Sequence, residues 1–471
     1  MRCPRELWLI YLATFLEYVG IFTFLPTLPL WLSGDFGFSD QSAGNWAAVF
    51  SALITLFLFM VGSLADIIGV RRMLLLSFAL AAVTRLMMAL ASTPTAAIVS
   101  LMAFALAYGA TSPGLQTGIQ RASTKSTRAF AFSLWYVSFN LAGTLSGPLI
   151  DGARARFLDP ATKKLAPHVV DLPLLGPRMM SAHAVIMGIG FVSATLAVLV
   201  MLTLRRNFEH RIDPEDKPTV VEPEAIEPGI EPAPIETQDK AAYRADPKPA
   251  AEPKKVNPLV ALREVFADRA FWRFMLMLLL LCLVRMMFQH MHFTWPKYVT
   301  RVNGDSFNVG YVWSFNSFLI LFLAPLGTAI TRKQKPFNVL LIGAFISSLS
   351  PFVLCLGDSM PYQLAMVLTL TIGEALWSPR LYEYNVSIAP RGREATYVSL
   401  AALPYFAAKF LVGPSSGYLL STLCPADGPR RPALMWAIIG VATMIGPVGI
   451  LMLRNVIQRK DEAPTPAANA A

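Results

Sequence analysis

Between Trp8 and Arg454, short polar connections cut the sequence into long apolar stretches, and this alternation limits the fold more than any single residue does. A helix crossing about 30 Å of hydrocarbon at about 1.5 Å per residue needs about 20 apolar residues. Twelve such stretches lie near 8–32, 42–65, 72–91, 95–119, 128–150, 181–204, 270–296, 306–331, 336–357, 361–388, 393–421 and 431–454. Inside lipid a segment must satisfy its own backbone hydrogen bonds, so these stretches are read as helices. Composition agrees: 55% of residues are hydrophobic and 15% charged, where soluble domains carry about 25% charged residues. The expected class is an all-α integral membrane protein. Its first stretch exceeds the apolar region of a signal peptide and shows no small-residue cleavage site, so it is expected to be retained.

The longest polar interruption runs from Asn207 to Pro258 and divides the twelve stretches into two sets of six. Ten prolines fall between Pro214 and Pro258, and such a segment buries too little apolar surface to offset its chain entropy. The expected organisation is a six-helix bundle over 1–206, a disordered cytoplasmic linker over 207–258, a second bundle over 259–457 and a disordered tail over 458–471. Two sets of six joined by a tether is the layout of a transporter built from repeats.

The net charge of +10 is unevenly spread. Twelve acidic and seven basic side chains lie between Glu209 and Lys255, so the apolar remainder is the strongly basic part. Those bases cluster in alternate short connections: Arg71 and Arg72, then Arg121, Lys125 and Arg128, Arg205 and Arg206, Arg332, Lys333 and Lys335, and Arg391 and Arg393. By the positive-inside rule these connections and both termini face the cytoplasm, and no nucleic-acid partner is implied. The 151–180 connection departs from the rule, carrying Arg154, Arg156, Lys163, Lys164 and Arg178. Compact loops point to a bacterial inner membrane.

After the second stretch the sequence reads GSLADIIGVRR, from Gly62 to Arg72. Glycines permit close approach and a tight turn, and a carboxylate there can pair with bases or a helix end. The segment resembles the loop signature of the major facilitator superfamily, with Gly62, Asp66, Gly69, Arg71 and Arg72 at matching positions. The resemblance implies two six-helix bundles, alternating access and a cytoplasmic latch at these residues. The equivalent loop of the second half, GTAITRKQKP from Gly327, keeps the bases but lacks the acid.

Ionisable residues at mid-span are costly unless paired or wetted, so each is a functional candidate. Glu17, Arg285, Glu374 and Lys409 qualify. Arg85, near a span end, is expected to snorkel to the interface. Helical spacing gathers polar groups onto faces. Arg285, Gln289 and His292 share one face of the seventh span. Tyr108, Ser112, Gln116 and Gln120 share one of the fourth, and Tyr136, Asn140 and Thr144 one of the fifth. Such faces line a wet cavity or make interhelical hydrogen bonds. His290 and His292, two residues apart, point away from each other, so no metal site is expected. Pro26, Pro29, Pro325 and Pro379 are candidate bends. With cysteines such as Cys3, Cys282 and Cys355 at a face or in spans, no disulfide is expected.

The tenth span reads GEALWSPRLYEYNVSIAP. Its Gly373, Glu374, Ser378, Pro379, Ala389 and Pro390 match the spacing of the proton-coupled oligopeptide transporter family, which the eighth span also resembles through Asn316 and Pro325. Tyr136 and Asn140 fit the family interval, with Ala142 in place of its Gly. The resemblance implies that Glu374 holds a peptide amino group and takes part in coupling. The first span departs: FLEYVGIF keeps one acid, Glu17, with Thr14 where the family has a second Glu. No base stands mid-span in span four, where the family binds the peptide carboxylate.

The expected function is proton-coupled symport of a small polar solute, a short peptide or peptide-like compound, by a monomer in the lipid bilayer without cofactor or metal. Glu17 and Glu374 are the expected proton sites. Arg285, Gln289, His292, Lys409, Tyr108, Gln116, Tyr136, Asn140 and Asn316 are the expected substrate contacts, with Arg285 and Lys409 attracting an anionic group. The alternatives are a proton-antiport exporter of amphipathic compounds and a non-transporting receptor or scaffold working through the linker. No nucleophile–base pair, phosphate loop or metal cluster suggests an enzyme.

Overall fold

The structure is a computed structural model, and it describes residues 5–61, 68–124, 127–172, 176–205, 269–388 and 403–457. The 207–258 linker and the 458–471 tail lie outside the described residues, as do Gly62 and Asp66. Among the described residues, twelve helices of at least 18 residues carry the fold. They are α1 (Arg5–Phe24), α3 (Asp40–Val61), α4 (Val70–Ala89), α5 (Pro94–Arg121), α6 (Arg128–Arg156) and α7 (Ala182–Leu202) in the first half. The second half contributes α8 (Arg269–Phe293), α10 (Val309–Thr331), α11 (Pro336–Val353), α12 (Met360–Ile388), α13 (Leu403–Leu423) and α14 (Pro432–Met452). Nine of them are long and apolar enough to cross a membrane. Large apolar side chains such as Phe322, Met60 and Met452 are more than 60% exposed along their flanks, an arrangement suited to lipid rather than water.

The first and seventh spans, each expected as one helix, are both broken. Pro26 lacks an N–H, and the chain turns at 25–27 before α2 (Leu28–Phe36) resumes with Pro29 in its first turn. In the second half Thr294 separates α8 from α9 (Trp295–Asn303), with Pro296 in the equivalent place. Proline is tolerated there because first-turn N–H groups have no intrahelical partner. Each nine-residue helix stops at a positive-φ glycine, Gly37 (φ 68°) and Gly304 (φ 83°), a conformation that a side chain would strain. The two halves thus repeat one another down to this detail.

Within the first half, α1 packs on α6 and α7, and α4 on α5 and α7. Within the second, α11 packs on α12 and α14, and α8 on α13 and α14. The halves meet along two seams, α3 with α13 and α6 with α10. Two antiparallel strands, β1 (His168–Leu172) and β2 (Gly176–Met180), pair His168 with Met180 through Leu172 with Gly176. They occupy the long 151–180 connection, where no strand was expected, and mark one face of the molecule as the hairpin face. The opposite face, toward 205 and 269, is the linker face. There Gly69 (φ 84°) opens α4, and Arg71 donates from Nε to Leu204 O at 2.7 Å and from Nη2 to Leu202 O at 3.1 Å. Its charge thereby caps the carbonyl end of α7.

Candidate functional site

Arg85 does not snorkel. It is 1% exposed and crosses the first bundle to Glu17, donating from Nη2 to Oε1 at 2.8 Å and from Nη1 to Oε2 at 3.0 Å. The guanidinium lies 4.7 Å from the centroid of Phe104, and Nη1 also reaches Gly190 O at 3.3 Å. Glycines make the slot: a Cβ at Gly20 would come within 3.0 Å of Arg85 Cζ, and one at Gly190 within 3.0 Å of its Cδ. Glu17 is therefore a neutralised carboxylate in this conformation.

The expected polar stripe of α5 is buried beside this pair. Tyr108, Ser112 and Gln116 are all under 10% exposed. Gln116 Nε2 donates to Ser112 Oγ at 3.3 Å, and Ser112 also bonds the Tyr18 hydroxyl. The α6 stripe mostly satisfies itself along its own helix: Asn140 Nδ2 donates to Tyr136 O at 3.1 Å, and Thr144 Oγ1 to Asn140 O at 2.9 Å. The Tyr136 ring leans across the seam against Ile320, Ala324 and Ala375 of the second bundle, one residue from Glu374.

Glu374 is 4% exposed, and its Oε2 accepts from Asn316 Nδ2 at 3.0 Å. The same amide nitrogen donates to Thr371 Oγ1 at 2.9 Å, so α10 and α12 together fix the carboxylate. Arg285 on α8 acts electrostatically on Glu374, and its guanidinium lies 5.4 Å from the Trp377 ring centroid. Lys409 on α13 acts in the same way on His292, whose ring meets Trp313 edge-on at 4.7 Å and whose Nδ1 lies 2.6 Å from Phe288 O. Gln289 is half-buried one turn from Arg285. His290 points elsewhere, with Nδ1 2.7 Å from Thr294 Oγ1. Among the described residues no cluster of three metal-ligating side chains forms, and Cys282, Cys355 and Cys424 are not joined in a disulfide. Within the second bundle, then, Arg285 acts on both Glu374 and the Trp377 face, and His292 lies between the influence of Lys409 and the Trp313 ring. Glu17, Tyr108 and Gln116 lie apart from them in the first bundle.

Sequence reasoning missed a second cluster, at the hairpin face. Asp40, the first residue of α3, accepts from Lys297 Nζ at 2.9 Å and from Arg301 Nη2 at 2.6 Å. Arg301 also donates to Cys424 O at 2.6 Å, and Lys297 to Ser33 Oγ. Asp151 of α6 accepts from Gly310 N and Tyr311 N, both at 2.8 Å. It thus caps the N-terminus of α10 from the other half of the molecule. Arg154 donates to Asp305 O at 2.9 Å in the same layer. These contacts hold the two halves together at the hairpin face.

The fold has many solved counterparts. A POT family transporter in complex with 5-aminolevulinic acid superposes with a TM-score of 0.69 at 16% identity, covering 97% of each chain. The peptide transporter POT in complex with sulfate gives 0.69 at 16% over 96% of this chain and 95% of that one. The nucleoside transporter NupG gives 0.64 at 13% over 97% and 100%. No curated protein matches the sequence. The family description that fits is Major Facilitator Superfamily, over residues 10–414. That match spans both bundles, the loop with Gly69, Arg71 and Arg72, and the buried charges of α1, α8, α12 and α13, and with it the chain belongs to the major facilitator superfamily.

Proposed function

We propose that the protein is a secondary active transporter that couples protons to uptake of a small polar solute, a short peptide or peptide-like compound. The observation that carries this reading is Glu374: a buried mid-membrane carboxylate, held by Asn316 and facing Arg285. A group so placed can exchange a proton when a basic partner approaches or withdraws. The peptide class draws on the spacing of Gly373, Glu374, Ser378 and Pro379, and on structural neighbours crystallised with 5-aminolevulinic acid and with a thioalcohol-conjugated peptide. Arg285, Gln289, His292, Lys409 and Asn316 are the solute contacts on the second bundle. Tyr108, Gln116, Tyr136 and Asn140 are those on the first. Glu17 is the second proton site, reached when Arg85 lets go.

The linker face, rich in Arg71, Arg72, Arg332, Lys333 and Lys335, is cytoplasmic under the positive-inside rule, with both termini on that side of a bacterial inner membrane. The hairpin face is then external, and a molecule joined there is open, or poised to open, toward the cytoplasm. The unit is a monomer. Asp66 completes the latch with Gly62, Gly69, Arg71 and Arg72. In proteoliposomes, Glu374→Gln should abolish uptake driven by an imposed proton gradient while solute exchange without a gradient persists. Undiminished proton-driven uptake would remove Glu374 from the coupling step.

A further inference from the structure

Thr371 and Glu374 stand three residues apart on α12, so their side chains lie next to one another on one helical face. Asn316 of α10 meets both: its Nδ2 donates to Thr371 Oγ1 at 2.9 Å and to Glu374 Oε2 at 3.0 Å. Thr371 is fully buried. Its own hydroxyl hydrogen is committed, since Oγ1 donates to Val367 O at 2.7 Å one turn earlier. Toward Asn316 the hydroxyl can therefore only accept. Turning the amide over would set Asn316 Oδ1 against two acceptors, the Thr371 oxygen and the carboxylate. Thr371 thus decides which end of the amide Glu374 meets.

An N–H aimed at a carboxylate favours its ionised form, whereas a carbonyl oxygen in that place favours the protonated one. Among charged groups, Arg285 of α8 acts on Glu374, and Lys409 of α13 acts on His292. The helices α10 and α11, which pack on α12, carry no acid, lysine, arginine or histidine. Tyr136 of α6 leans on the adjoining Ala375, and Arg380 of α12 itself donates to Thr331 Oγ1 at 3.0 Å, nearer the linker face. We propose that Thr371 is a positioning residue for the proton on Glu374: it holds the Asn316 amide as a donor, so that Glu374 releases its proton instead of trapping it. Without the hydroxyl, the amide can turn its oxygen toward protonated Glu374 and keep the proton there. This inference rests on the transport reading above and adds the residue that tunes its proton site.

The test is infrared titration of the purified full-length chain, reading the protonated-carboxyl band that Glu374→Gln removes. Thr371→Val, close in shape but without the hydroxyl, should move the midpoint of that band up by about one pH unit. Thr371→Ser should return it to the value of the unsubstituted chain. Thr371→Ala serves where Thr371→Val does not fold. In an Asn316→Leu background the same substitution should add no further shift, because Thr371 acts only through the amide. A midpoint unmoved or lowered by loss of the hydroxyl overturns the inference and leaves the transport reading standing. So does a Thr371→Ser midpoint as displaced as that of Thr371→Val, or a full further shift in the Asn316→Leu background. Absence of any titrating band that Glu374→Gln removes overturns both. A displaced midpoint in a chain whose gradient-driven uptake survives Glu374→Gln supports the assignment of Thr371 and removes Glu374 from the coupling step.

Discussion

Arg85 grips Glu17 with both terminal nitrogens across 68 residues of sequence, at 2.8 and 3.0 Å, in a slot lined by Gly20 and Gly190. Removing one member of a fully buried ion pair strands the other charge and costs about 3–5 kcal/mol, whereas replacing both by neutral groups of similar size is far cheaper. Arg85→Met should therefore lower the melting temperature of the purified protein sharply, and Glu17→Gln added to it should restore most of the loss. The restored double variant also tests coupling. If Glu17 exchanges protons during transport, that protein is folded yet impaired in gradient-driven uptake. Full uptake would make the pair purely structural.

Asp40 ties α3 to α9 through Lys297 and Arg301 while the hairpin face is joined. Asp40→Asn removes the negative charge that the two bases share and leaves them beside each other without it, so the joint should weaken. Spin labels at exposed Ser92 and Ser359, with the native cysteines replaced, should report a longer mean distance in Asp40→Asn than in the unsubstituted chain. An unchanged distance would mean that the ion cluster does not hold the face.

Asp151 makes a second tie of a different kind, accepting from two backbone N–H groups at the start of α10. Asp151→Leu leaves both donors without that acceptor, at a cost of about 1–2 kcal/mol by analogy with lost helix caps. Because donor and acceptor belong to different halves, the cost falls on the joined state alone. A loss of about 1.4 kcal/mol moves the equilibrium about tenfold toward separation. The same label pair should record this as a second, longer distance population, and a single unchanged population would count against the tie.

Much of this architecture is written in the sequence because lipid makes its demands locally. An apolar length or a basic connection is a property of contiguous residues, and the twelve apolar lengths map onto the helices described. Glu374 and Asn316 were also legible, since their positions within spans mark them individually. Partnerships between distant residues were not. Arg85 near a span end reads as an interfacial base until Glu17 and the two glycines are placed around it. Asp40, Lys297 and Arg301 sit in short helices or at a helix start, where charges are normally solvated, and only the meeting of the two halves makes them a cluster. The breaks after Phe24 and Phe293 had a local signal in Pro26, Pro29 and Pro296, but a proline marks a bend or a break alike. The available clue to the hairpin-face joint was the doubled pattern itself, a proline-started short helix ending at glycine in each half.

The seams supply the last prediction. Gly147 on α6 meets α10 so closely that a Cβ would lie 2.5 Å from Gly310 O and 2.7 Å from Ser314 Cβ. On the other seam a Cβ at Gly44 would collide with Gly413 O, and one at Gly417 would lie 2.6 Å from Asp40 O. Backbones can approach this far only where both faces are nearly bare. At Gly44 and Gly417 the obstructing atoms are backbone, and at Gly147 they are Gly310 O and the short Ser314 side chain, whose Cβ is fixed to its own backbone and cannot turn aside. Gly147→Val should therefore force α6 from α10 while leaving each bundle internally intact. Exposed cysteine reporters at the hairpin face should gain reactivity, and the label distance there should lengthen, with little change in helix content. A variant that melts as a whole would mean that the seam is part of the folding core; one that keeps the short distance would mean that the helices slide to accommodate the side chain.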